Sequence, residues 1–143
     1  MKLFVLDASV AVKWFLPREG ESYVDEAFGL LDGYVNQKLD FISPDFFWAE
    51  FGNVLWKSVR RGRWPAESAT EAVHHLNALQ LPTIPAEDLL DDALALALGS
   101  GQTVYDSLYI TLAMRSGGEM ITADERLANA LAARLPVRWL GSI

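Results

Sequence analysis

The hydrophobic pattern of the chain changes period repeatedly, and each change marks an element. Residues 2–6, KLFVL, form a continuous apolar run closed by Asp7, the pattern of a strand buried on both faces. VAVKWFL (10–16) follows as a short helix, with Ser9 as its cap candidate and Pro17 as its stop. Between 21 and 37 the residues Tyr23, Val24, Ala27, Leu30, Leu31 and Tyr34 recur at intervals of three and four, which predicts an amphipathic helix. DFISP (40–44) reads as a brief strand. Pro44 and Asp45 then start a helix over 46–62, FFWAEFGNVLWKSVRRG, with Gly62 as its end.

Pro65 opens a more polar helix, AESATEAVHHLNALQ, ended before Pro82, and PTIP has room only for a short strand. Helical spacing returns over 87–98 before the loop GSGQ. The stretch 103–127, TVYDSLYITLAMRSGGEMITADERL, reads as a helix, a Gly-Gly turn and a strand that ends at an acid. A helix, ERLANALA, and a last strand within PVRWLGSI complete the chain. Strands alternating with helices predict an α/β fold with a mostly parallel central sheet of four or five strands, covered by helices. Residues 1–143 contain no repeat, low-complexity tract or linker, so one domain is expected.

Composition narrows the function. The chain has no cysteine, which excludes disulfides and thiolate metal sites. It has no run of about 18 apolar residues, and Asp7 interrupts its first apolar segment, so a cytoplasmic protein with no membrane span is expected. With 12 basic and 19 acidic residues the net charge is -7, which argues against a general polyanion binder. Any nucleic-acid contact is therefore expected to be local.

Four acids stand out: Asp7 after the first strand, Glu50 inside an apolar helix, Asp106 at a helix start and Asp124 after a strand. Structural readings exist for three of them. Asp7 can terminate a strand, and Asp124 can cap a helix. Thr103 with Asp106, and Thr122 with Glu125, both fit a capping box. Glu50 is harder to explain that way, because its helical neighbours Phe46, Phe47 and Val54 are apolar and a buried carboxylate needs a partner.

Taken together, the acids point to a cation. Clustered carboxylates repel unless a cation lies among them, and oxygen ligands suit Mg²⁺ or Mn²⁺ rather than zinc. Such an ion can activate water against a phosphodiester, which is hydrolytic nuclease chemistry. Ser9, Ser107 and Thr122 are candidate supporting hydroxyls for the acids, with plain helix capping as the alternative.

At these residues the chain resembles a known family. LDASVAVKW, the AE of FWAEFGNVLW, VYDSLYITLA and ITADERLANAL together look like a PIN domain, in particular a VapC-type toxin ribonuclease, over residue 2 to about residue 140. The resemblance implies an α/β/α sandwich and Mg²⁺ or Mn²⁺ bound by Asp7, Glu50, Asp106 and Asp124. It also implies endonucleolytic cleavage of RNA, a homodimer and inhibition by a cognate antitoxin protein. A non-catalytic PIN-like binding module is the alternative; every ligand position is filled here, which favours catalysis.

Two further surfaces are expected. Lys57, Arg60, Arg61 and Arg63 lie between Trp56 and Trp64, a mixture suited to phosphate contact and base stacking, or else a solvated helix end. Lys13 and Arg126, each near an acid in sequence, are candidate phosphate contacts at the crevice. His74 and His75 lack ligand spacing and read as solvated. Trp14, Phe15, Phe46, Phe47, Trp48 and Phe51 come in adjacent groups, and a helix cannot turn consecutive residues toward one core. Some are therefore expected at the surface as partner-binding residues, an antitoxin groove on the resemblance; burial by a second helix layer or a dimer contact is the alternative.

Overall fold

The computed structural model describes residues 1–143, and its centre is a five-stranded, wholly parallel sheet. The strands are β1 (Lys2–Leu6), β2 (Leu39–Pro44), β3 (Thr83–Ile84), β4 (Glu119–Thr122) and β5 (Val137–Trp139). Their spatial order is β3-β2-β1-β4-β5. The helices are α1 (Ala8–Ala11), continued by a 3₁₀ turn at Val12–Trp14, then α2 (Val24–Val35), α3 (Phe47–Arg60) and α4 (Ala66–Ala78). They are followed by α5 (Ala86–Ser100), α6 (Val104–Ser116) and α7 (Glu125–Leu131), with a final 3₁₀ turn at Leu140–Ser142.

The continuous apolar strands now have their explanation. Alternate β1 residues serve opposite layers: Phe4 and Leu6 pack with α1 to α4, whereas Val5 packs with α5 to α7. β4 divides in the same way, with Ile121 in the first core and Met120 in the second. Two buried cores thus sandwich the sheet, which is the α/β/α architecture. At the turn into β4, Gly117 adopts φ +75°, and a Cβ on Gly118 would lie 2.6 Å from the Leu3 carbonyl oxygen. Only glycine lets β4 come in beside β1 at that point.

Topology also places the site. From β1 the chain moves outward to β2 and β3, then returns to the other side of β1 for β4 and β5. The order reverses between β1 and β4, and in open α/β sheets ligands bind beyond the carboxyl ends of the strands at such a switch point.

The first helix differs from expectation. It begins at Ala8, with Asp7 in the capping position, and tightens to 3₁₀ instead of running over 10–16. Ser9 therefore lies inside the helix and does not cap it. The aromatic residues differ more. Trp14, Phe47 and Phe51 are core residues, and Phe15 and Trp48 pack against that core. Phe46 packs instead on Tyr105 and Tyr109. The reason is that α1 and α3 are covered on several sides at once, by the sheet, α2 and α4, so adjacent residues can all face protein. The indole Nε1 of Trp14 even donates to the buried Ala27 carbonyl at 2.8 Å. Of the six, Trp14, Phe47 and Phe51 are buried, while Phe15, Phe46 and Trp48 are partly exposed.

Candidate metal centre

All four acids arrive at the same edge of the sheet. Asp7 follows β1 and Asp124 follows β4, the two strands that flank the switch point. α3 starts after β2, and α6 leads back into β4 while packing on β1, β2 and β4. Each helix therefore has its N-terminal turns at the carboxyl edge, which is where Glu50 and Asp106 sit.

Asp7 is 9% exposed, and its carboxylate is tightly held. Ser9 Oγ donates to Asp7 Oδ2 at 2.6 Å, and Thr122 Oγ1 donates to the same oxygen at 2.8 Å. Oδ1 has no hydroxyl partner. Ser9 Oγ also accepts the Ala123 backbone N–H, and Thr122 Oγ1 accepts that of Asp124. The two hydroxyls thus bind β1, α1 and the turn after β4 into one unit. Glu50 is half-buried, and its Oε1 accepts the phenol hydroxyl of Tyr109 at 2.6 Å.

Electrostatics joins the four acids. Burial raises the Asp7 carboxyl above its ordinary range, hydrogen bonds from Ser9 and Thr122 oppose this, and Asp106 adds to it. Burial pushes Glu50 up to about 7, against the Tyr109 hydrogen bond and with help from Asp7 and Asp106. Asp106 is raised by burial first, Thr103 opposes, and Asp124 contributes repulsion. Burial, then the charges of Asp7 and Glu50, raise the Tyr109 phenol, so it remains a neutral donor.

None of the four acids forms an ion pair with lysine, arginine or histidine. Asp7 is buried, Glu50 and Asp106 are partly buried and Asp124 is exposed beside them; without a protein cation, they suit an external one. All their donor atoms are oxygens, as Mg²⁺ and Mn²⁺ prefer. No three acidic or histidine side chains crowd into a finished coordination shell. Mg²⁺ normally keeps several waters and takes only one or two carboxylates, so a finished shell is not required. The residues present fit such an ion.

The other sequence candidates separate clearly. Thr122 is a buried β4 residue directed at Asp7, not the start of a capping box; the cap of α7 is Asp124, whose Oδ1 accepts the Leu127 N–H at 3.1 Å. Thr103 does cap α6, accepting the Asp106 N–H. Ser107 is fully buried, and its hydroxyl contacts no acid and has no hydrogen-bond partner. One residue along a helix is a turn of about 100°, so Ser107 faces the core while Asp106 faces the edge.

Lys13 is buried at 7% exposure and paired with Glu21 at 3.1 Å, so it is not a free phosphate contact. Arg63 reaches the other oxygen of Glu21 at 3.2 Å and the Glu19 carbonyl at 3.1 Å. The sequence spacing gave no sign of that triad. Lys57, Arg60, Arg61 and Arg126 are exposed, as are His74 and His75, and Arg60 stacks over Trp56 at 5.3 Å. Tyr109 was not singled out from the sequence, although its position three residues after Asp106 puts both on one face of a helix.

Comparison with known proteins identifies the family. A PIN-domain family model matches residues 4–131. Ribonuclease VapC3 of Pyrobaculum aerophilum is 34% identical over 137 residues, covering 93% of this chain and 97% of that protein. Exonuclease VapC9 of the same organism is 36% identical over 80 residues, 54% of this chain and 57% of its own. Among solved structures, a P. aerophilum protein superposes with a TM-score of 0.69 at 22% identity, covering 99% of this chain and 92% of that one. The VapBC2 complex of Rickettsia felis, bound to a DNA fragment from its promoter, gives 0.64 at 12% identity, with coverages of 96% and 98%. A toxin-antitoxin complex from Klebsiella pneumoniae gives 0.59 at 17% identity, covering 96% of each chain. These structures share the fold, the family model spans both halves of the acidic edge, and the chain belongs to the PIN-domain family, among its VapC-type members.

Proposed function

We propose that this chain is a Mg²⁺- or Mn²⁺-dependent endoribonuclease, the toxin of a toxin-antitoxin pair acting in the cytoplasm. The observation that carries the reading is the meeting of four acids without ion pairs, Asp7, Glu50, Asp106 and Asp124, at the switch point of the sheet. These residues would hold the ion, which supplies Lewis-acid activation of water and charge neutralisation at a phosphodiester.

The chain's own groups do the positioning. Ser9 and Thr122 hold Asp7 by one oxygen and leave Oδ1 without a hydroxyl partner. Asp124 spends Oδ1 on the cap of α7, which fixes its place at the edge. Glu50 and Asp7 hold protons more tightly than ordinary carboxylates, and a cation beside them lowers that affinity and favours the ionised form.

The RNA contact falls to exposed cations, Lys57 and Arg60 on α3, Arg61 at its C-terminal cap and Arg126 on α7. Lys57 in α3 and Arg61 just past its end lie seven and eleven residues after Glu50, close to its helical face, so a basic strip leads away from the acidic edge. Such a local strip reconciles a net charge of -7 with a polyanionic substrate. A cognate antitoxin is the proposed protein partner, a reading supported by the fold shared with a structure named as a toxin-antitoxin complex. For the proposed homodimer the supporting surface is on α5, where Leu90, Leu94 and Leu98 repeat every fourth residue and are 46%, 47% and 79% exposed.

The test is cleavage of a structured RNA by purified protein with and without chelator. Mg²⁺-dependent cuts lost in Asp106→Asn support the reading, and equal cleavage by the two proteins overturns it.

A further inference from the structure

Tyr109 is buried to 1% exposure in the core formed by α5, α6 and α7, yet its hydroxyl leaves that layer. It donates at 2.6 Å to Oε1 of Glu50 on α3, which belongs to the opposite layer. This is the one side-chain hydrogen bond that joins α3 to α6. Phe46, at the start of α3, packs on the same ring with centroids 5.2 Å apart, so the phenol is held at both its face and its oxygen. A phenol so fixed has little rotational freedom, and its hydroxyl cannot follow a wandering carboxylate.

The carboxylate needs such a partner. Glu50 stands on a helix several bonds from the backbone, with three rotatable side-chain torsions and no ion pair. Asp7 solves the same problem with Ser9 and Thr122, whereas the only side-chain donor on Glu50 is Tyr109. Outer partners of metal-holding carboxylates fix orientation and govern affinity.

We propose that Tyr109 is a positioning residue for Glu50, holding one carboxylate oxygen so that the other is presented to a divalent ion at the acidic edge. The proposal rests on the metal-site reading, and its test separates the two. Mn²⁺ titrations by calorimetry on the full chain should show Tyr109→Phe weakening binding about 10- to 100-fold. In a Glu50→Gln background the same change should have no further effect, because no carboxylate is left at position 50 for the phenol to orient. A structural role in the core would instead lower affinity equally in both backgrounds, and that outcome overturns the proposal.

A second measurement does not depend on the stability of the phenylalanine variant. Mn²⁺ binding to the unaltered protein should perturb tyrosine absorption, since the phenol shares its acceptor with the ion, and Glu50→Gln should remove that signal. A protein that binds Mn²⁺ by calorimetry without a Glu50-dependent tyrosine signal overturns the role of Tyr109 and leaves the site reading intact. A protein that binds no divalent ion overturns both.

Discussion

Thr122 on β4 donates its hydroxyl to Asp7 Oδ2 at the end of β1, across 2.8 Å of space and 115 residues of chain. The bond is buried, and it joins the two strands on either side of the switch point. Thr122→Val keeps the β-branched shape but removes the donor. It should lower Mg²⁺-supported cleavage about 10- to 100-fold, as expected for the outer partner of a metal-holding acid. Cleavage rates at saturating metal, compared with metal affinity, check this; unchanged values for both would remove Thr122 from the site.

Asp7→Asn and Asp106→Asn remove charge with little change in shape. Each should reduce cleavage more than about 100-fold, beyond the loss from an outer partner. Neither should unfold the protein, because burial and mutual repulsion already disfavour the ionised forms. In chelator the melting temperature should hold or rise, as measured by circular dichroism; a sharp fall would argue that these acids serve the fold.

The proton affinity of Glu50 sets a pH dependence for the metal-free chain. Its carboxyl is raised to about 7 in the folded protein from an ordinary 4.5, so folding favours the protonated form. That stabilisation is complete below pH 4.5 and is lost as pH rises through about 7. Asp7, also raised, acts in the same direction. Melting temperature in chelator should therefore fall between pH 5 and pH 8 more steeply for the unaltered chain than for Glu50→Gln. Added Mn²⁺ should restore most at the alkaline end, where the acids are charged.

The basic strip predicts a salt signature. Replacing Arg60 and Arg61 together by alanine should weaken binding of single-stranded RNA and reduce the salt slope by roughly 1 to 2, in line with two phosphate contacts. Equal slopes for both proteins would assign RNA contact elsewhere.

On α5, Leu94→Glu with Leu98→Glu places charge on an exposed apolar stripe. If that stripe joins two copies, the pair should shift the sedimentation velocity from dimer to monomer with little loss of melting temperature. A dimer that survives both charges would place the interface on another face.

Much of the fold was legible in the sequence because the strand signals are local: KLFVL closed by Asp7 and EMIT ahead of Asp124 both sit where periodicity placed them. The candidate acids were legible for a similar reason: Asp7, Asp106 and Asp124 lie near element ends, and Glu50 stands inside an apolar helix. What escaped was set by contacts between distant segments. Lys13 looks free until the loop carrying Glu21 folds back on it, and Ser9 resembles a cap until Ala123 arrives from β4. Which aromatics are buried was not legible, because a one-faced reading of a helix fails where other elements enclose it, as they do Trp14 and Phe47. Tyr109 was hidden because apolar periodicity counts a tyrosine as core and takes no account of its hydroxyl.

The strand order also governs when the centre can exist during synthesis. A nascent chain that has emerged only through α6 already carries Asp7, Glu50 and Asp106, but β4 is missing from the flank of β1, and with it Thr122 and Asp124. Asp7 then lacks the hydroxyl that β4 brings, and Ser9 lacks the Ala123 amide. On the nuclease reading, translation itself withholds the activity: the ribosome must deliver β4 before the chain is able to cut RNA.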